Sequence, residues 1–72
     1  MNIVYLRYAV AVAKAGSLNK AAEELFIAQP NLSRAIKELE KELGITIFNR
    51  SGRGVSLTAD GAEFILYARQ VY

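Results

Sequence analysis

Residues 17–43 restrict the possible folds of this 72-residue chain more than any other segment, because they are typical of two helices joined by a tight connection. The second of these helices is amphipathic, with apolar residues at intervals of three and four, the spacing of one buried helix face. These apolar residues are Leu32, Ile36, Leu39 and Leu43. The opposite side carries Pro30, Ser33, Arg34, Lys37 and Lys41. The pattern predicts a helix that is buried on one side and cationic on the other.

The preceding helix is predicted over Leu18–Leu25, because the Ser17 hydroxyl can cap its first turn. A connection over residues 26–28 follows. Pro30 then falls in the first turn of the second helix, where its fixed φ favours helix and its missing N–H costs no hydrogen bond. These spacings predict a helix-turn-helix with Gln29–Leu43 as the recognition helix. The alternative is an ordinary antiparallel helix pair with a solvated charged face, because three glutamates dilute the positive charge.

The N-terminal segment predicts a helix over Ile3–Ala15 that is apolar nearly all round and ends at Gly16. Such a helix is covered from more than one direction, and we expect the helix-turn-helix on one side and the last helix on the other. Arg7 and Lys14 limit the apolar run to residues 8–13, which is shorter than the core of a signal peptide and too short to cross a membrane. We therefore expect a cytoplasmic protein without a membrane partner.

Two short β-prone runs follow the recognition helix, over residues 45–48 and 55–57. The Gly-rich turn between them predicts a β-hairpin, or wing, with Arg50 and Arg53 at or near its tip. A two-stranded hairpin is marginal alone, so we expect its apolar residues to dock on the helices. These are Ile47, Phe48, Val55 and Leu57. A nucleotide-binding phosphate loop is the alternative, but the Walker spacing is lacking.

The last segment predicts a helix that begins after an N-cap at Thr58 and has Asp60 in its first turn. Its apolar residues fall on two faces, of which one is expected to pack on the domain and the other to need a partner. We predict a dimer contact at Ala62, Ile65, Leu66, Ala68 and Tyr72. No stop signal precedes the chain end, so the helix is expected to continue in a longer protein. Simple fraying of a last core helix is the alternative.

The composition excludes several classes of protein. The chain has no cysteine and no histidine, which removes disulfides, thiolate or imidazole metal sites and the commonest general base. Ser33 and Lys37 lie one helical turn apart, but no base or oxyanion arrangement accompanies them. We therefore expect neither an enzyme nor a bound metal or cofactor.

The placement of polar groups on the second helix favours nucleic acid as the partner. The net charge of +2 is only weakly basic, so the distribution of charge along the chain is the better indication of the partner. Amides lie at the tip of this helix and cations along its back, which suits the major groove, where amides bond base edges and cations bond phosphates. A module that binds another protein through its apolar C-terminal helix is the rival hypothesis.

Several motifs at fixed spacing resemble the N-terminal DNA-binding domain of LysR-type transcriptional regulators, over essentially the whole chain. They are Ala21-Ala22-Glu23-Glu24-Leu25, Gln29-Pro30, Leu32-Ser33-Arg34, Leu39-Glu40, Leu43-Gly44 and Leu57-Thr58-Ala59-Asp60-Gly61. The resemblance implies a mainly α winged helix-turn-helix over residues 1–58 and the start of a linker and dimerisation helix over residues 59–72. It also implies a bacterial regulator whose effector-binding domain is absent from this sequence, so that a small-molecule effector acts only through that missing domain.

The expected partner is double-stranded promoter DNA, bound as a homodimer on an inverted repeat. We expect bases to be read by Gln29, Pro30, Asn31 and Ser33. The expected phosphate and wing contacts are Ser17, Lys20, Arg34, Lys37, Arg50 and Arg53.

Two positions depart from the family pattern. Ala28 stands where the family usually has Ser or Thr, and losing such a hydroxyl cap typically costs about 1 kcal/mol. Asn31 stands where a small residue is common, and its amide, like that of Gln29, is able to bond the N6 and N7 atoms of adenine. The resemblance therefore does not predict which DNA sequence this domain binds.

Overall fold

Four helices and one antiparallel hairpin form the fold in the computed structural model, which describes residues 2–52 and 54–71. The elements are α1 (Ile3–Ala15), α2 (Leu18–Leu25), α3 (Gln29–Leu43), β1 (Phe48–Ser51), β2 (Gly54–Leu57) and α4 (Ala59–Val71). Helix α1 lies at the centre, because α2, α3 and α4 all pack on it. The predicted winged helix-turn-helix is confirmed, including the covering of α1 from more than one direction.

One apolar core joins the helices to the start of the hairpin. Its buried residues are Ala9, Val12, Ala21, Ala22, Leu32, Ile36, Leu39, Ile47, Phe48 and Ile65. The predicted stripe of α3 supplies three of them, whereas Leu43 is only partly buried at the edge of the core. Alanines on α2 keep its inner face small, which allows α1 and α3 to pack close to it.

The helix starts follow the predicted caps. The Ser17 hydroxyl accepts a hydrogen bond from the Lys20 N–H at 3.2 Å, and the Thr58 hydroxyl accepts one from the Gly61 N–H at 2.8 Å. The start of α3 is different, since Ala28 provides no side-chain cap. Within residues 2–52 and 54–71, none of the helices has the length and apolar character of a membrane span.

The first strand lies further along the chain than the β-prone run predicts. It begins at Phe48, which pairs with Leu57, because the backbone of Ile47 is bonded elsewhere. The N–H groups of Ile47 and Phe48 donate to Glu40 Oε2 at 2.7 and 3.2 Å, and the Ile47 carbonyl accepts from the Thr58 N–H at 3.0 Å. The docking prediction also fails at Leu57, which is 37% exposed.

Glu40 therefore anchors the hairpin to α3, and its removal tests this role. We expect Glu40→Ala to lower the free energy of unfolding by about 1–3 kcal/mol, because two part-buried N–H groups lose their acceptor. Lys41→Ala, at the exposed neighbouring position, should change it by less than about 0.5 kcal/mol. Urea denaturation measures both values. Equal stability of the two variants would contradict the anchoring role.

Helix α4 buries two residues of the predicted dimer contact inside the protomer. Ile65 and Ala68 are only 4% and 3% exposed within the protomer, so they leave little surface for a second copy, and the dimer contact stays a prediction. They lie on the side of α4 that packs against the domain itself. Ala62 and Leu66 lie on the outer side, whereas Tyr72 falls outside the described residues.

Candidate nucleic-acid interface

The outer side of α3 carries the polar and cationic residues together, as the sequence predicts. Those that are exposed are Pro30, Asn31, Arg34, Lys37 and Lys41, whereas Gln29 and Ser33 are half-buried. All seven project from a helix whose inner stripe is held in the core. The backbone that carries them is therefore rigidly placed.

The hairpin flanks α3 on one side, and an arginine of its first strand contacts α3. Arg50 belongs to β1, one residue before the strand ends, and its Nη1 donates to Ser33 Oγ at 2.9 Å. Arg53, the other predicted wing cation, lies outside the described residues.

An open cavity of about 470 Å³ separates the hairpin from the starts of α2 and α3. Its polar lining includes Ser17, Asn19, Gln29, Arg50 and Ser51. The structure thus brings three predicted DNA contacts, Ser17, Gln29 and Arg50, around one space. Lys20 is exposed on α2.

On the other side of α3, the first turns of α1 approach the recognition helix. The Tyr5 hydroxyl donates to Glu38 Oε2 at 3.0 Å, and this hydrogen bond to a carboxylate raises the pKa of Tyr5 above its ordinary value. The Tyr5 ring stacks on Tyr8 with ring centres 6.1 Å apart. On α3 itself, Arg34 Nη1 approaches Asn31 Oδ1 at 3.4 Å.

Two of the three glutamates on α3 accept hydrogen bonds from other parts of the fold. Glu40 binds the start of the hairpin, and Glu38 binds Tyr5. Within residues 2–52 and 54–71, no three acidic side chains converge as a candidate metal site.

Phe26 is 93% exposed, which no feature of the sequence predicts. This residue forms the connection between α2 and α3 and has a φ of 59°, in the left-handed region. An aromatic side chain in a connection gives no sequence signal for exposure, because such residues are usually buried.

The family model for bacterial regulatory helix-turn-helix proteins of the lysR family matches residues 3–62. The chain belongs to the lysR family. The match covers the helix-turn-helix and the hairpin and ends within the first turn of α4.

Relatives and solved structures of the lysR family agree closely with this domain. The HTH-type transcriptional regulator YcgK of Bacillus subtilis is 49% identical over 71 residues, which are 99% of this chain and 22% of YcgK. A crystal structure of the CbnR DNA-binding domain with DNA has a TM-score of 0.96 at 41% identity, covering 99% of this chain and 82% of that one. The BenM domain with benA site 1 DNA has a TM-score of 0.94 at 48% identity, covering 99% and 80%.

The lysR-family relatives are much longer than this domain. The chain spans 22% of YcgK and 31% of the regulator TfdT of Cupriavidus pinatubonensis.

Proposed function

We propose that this lysR-family domain binds double-stranded promoter DNA sequence-specifically and thereby regulates transcription. The observation that carries the proposal is the outer side of α3, where amide and cationic side chains project from a helix fixed in the core on its other side. This is the arrangement that a recognition helix needs in the major groove. The DNA-bound domains of CbnR and BenM, which share the fold at TM-scores of 0.96 and 0.94, support it.

The side chains divide into two roles. Gln29 and Asn31 present amides that match base edges, and Pro30 offers an apolar contact beside them. Arg34 and Lys37 neutralise phosphates, which gives affinity on any sequence. The hairpin lies against the DNA backbone or an adjacent minor groove, where Arg53 and Arg50 provide charge.

Helix α4 provides the proposed contact between two copies. Leu66 and Tyr67 are 62% and 63% exposed on its outer side, and Ala62, one turn before Leu66, is exposed as well. Apolar side chains grouped this way are typical of an interaction surface. Two copies joined here would read an inverted repeat in the cytoplasm, with any effector acting through a part of the protein outside these residues.

Two substitutions on α3 test the division of roles. Arg34→Ala should weaken binding by a similar factor on every duplex, because it removes a phosphate contact. Asn31→Ala should relax the preference at one base pair, with a loss of about 1–3 kcal/mol of discrimination. Competition binding against single-base variants of a duplex selected from random DNA measures both effects.

The matched control is Lys14→Ala, which removes one positive charge from an exposed position on α1 that belongs to neither proposed contact surface. It should leave DNA affinity within about twofold of the unsubstituted domain. If Arg34→Ala and Asn31→Ala weakened all duplexes equally, the assignment of separate roles would be wrong.

A further inference from the structure

The hydrogen bond between Arg50 and Ser33 joins the hairpin to the recognition helix. The two residues are 17 positions apart, and the distance from Arg50 Nη1 to Ser33 Oγ is 2.9 Å. Both are well placed for it, since β1 is paired with β2 and α3 is anchored in the core. The bond therefore connects two parts of the proposed DNA surface through their side chains.

This bond leaves most of the arginine available for a ligand. A guanidinium has five N–H donors in a rigid fork, so four remain after the bond to Ser33. A long arginine side chain otherwise loses rotamer freedom when DNA immobilises it. Holding it in advance removes part of that cost and raises affinity without adding a contact.

The bond to Ser33 also holds Arg50 close to the start of α3. Arg50 and Gln29 line the same cavity, and Gln29 lies one helical turn before Ser33 on α3. Ser33 is half-buried between the outer side of α3 and the hairpin. Its oxygen already accepts from Arg50, which reduces its capacity to serve as an acceptor for a base.

We infer that Ser33 is a positioning residue, which holds the Arg50 guanidinium beside Gln29 so that Arg50 contacts DNA next to the first base-reading amide. This inference rests on the proposed DNA-binding function. It replaces the prediction that Ser33 reads a base directly, and it gives the arginine of β1 a fixed place within the recognition surface.

The free protein provides the first test. In the 72-residue chain, ¹⁵N relaxation of the Arg50 guanidinium should show a restricted side chain. Ser33→Ala should release it, whereas Ser33→Thr, which keeps the hydroxyl, should retain the restriction. An equally mobile Arg50 in the unsubstituted chain and in Ser33→Ala would overturn the inference, whatever the result with DNA.

A double-mutant cycle with DNA provides the second test, on the duplex selected by the unsubstituted chain. Ser33→Ala should lose roughly fivefold in affinity when Arg50 is present and less than about twofold in the Arg50→Ala background, because contacting residues are coupled. Ser33→Thr should bind nearly as the unsubstituted chain does. Thermal melting confirms that each variant is folded.

Base preference separates positioning from direct reading. If Ser33 acts through Arg50, then Ser33→Ala and Arg50→Ala should alter preference at the same base pair. Equal losses from Ser33→Ala in both backgrounds, or a changed preference at a base pair that Arg50→Ala leaves unaffected, would overturn the inference while DNA binding stands. Failure of the unsubstituted chain to bind any selected duplex would instead overturn the proposed function, and the inference with it.

Discussion

Replacing Gly61 with alanine is expected to destabilise the domain by about 3 kcal/mol or more, at the upper end of the range for overpacked sites. A Cβ at this position would lie 2.0 Å from the Ile47 carbonyl oxygen and 2.8 Å from its carbon. The obstructing atoms are backbone, and that backbone is fixed by hydrogen bonds from Thr58 and to Glu40. Helix α4 would have to move away from the core.

The sign of the stability change distinguishes steric overlap from helix propensity. Helix propensity alone predicts that Gly61→Ala stabilises the domain by about 1 kcal/mol. Ala62→Gly, at the exposed next position, should show only the propensity effect and lose about 1 kcal/mol. Urea and thermal denaturation give both values. A Gly61→Ala domain as stable as the unsubstituted one would show that α4 does not pack on Ile47 this closely.

Replacing Gly54 with alanine should cost about 2–3 kcal/mol and detach the hairpin from the helices. Gly54 has a φ of 133°, which L side chains rarely adopt, and an added Cβ would lie 2.5 Å from the Gly16 carbonyl oxygen. The same oxygen accepts a hydrogen bond from the Val55 N–H at 3.1 Å. Because β2 then separates from the α1–α2 turn, DNA affinity should fall even under conditions where the helices remain folded.

Gly52 is the matched control in the same hairpin. An added Cβ there meets no heavy atom within 4 Å, so Gly52→Ala should change stability by less than about 0.5 kcal/mol. Far-ultraviolet circular dichroism during urea denaturation compares the two variants, and binding to a selected duplex reports on the hairpin. Equal behaviour of Gly52→Ala and Gly54→Ala would contradict the close docking of β2 at Gly16.

The four helices could be predicted because their signals are local. Caps at Ser17 and Thr58, stops at Gly16 and Gly44, and apolar spacing along α3 act within one or two turns of the residues they organise. The structure has the helix bounds where these signals place them. The cationic side of α3 follows from the same periodicity, since the buried stripe determines which residues face out.

Other features depend on contacts between residues distant in the sequence. The first strand begins at Phe48 because Glu40, eight residues earlier, binds the backbone before it. A glutamate within a basic helix gives no sign of this role in the sequence. Likewise, Ile65 and Ala68 face inward because Gly61 lets α4 approach Ile47 closely. The bond between Arg50 and Ser33 forms only when the hairpin folds beside α3.

The most direct test of the DNA-binding claim is the affinity and stoichiometry of this chain on a duplex selected from random DNA, measured across a salt series. We expect two copies on an inverted repeat and an affinity that falls steeply as salt rises, because phosphate contacts release counterions. Arg34→Ala should reduce the slope of log affinity against log salt by about 1. A chain that binds no selected duplex even at low salt would contradict the proposed DNA binding.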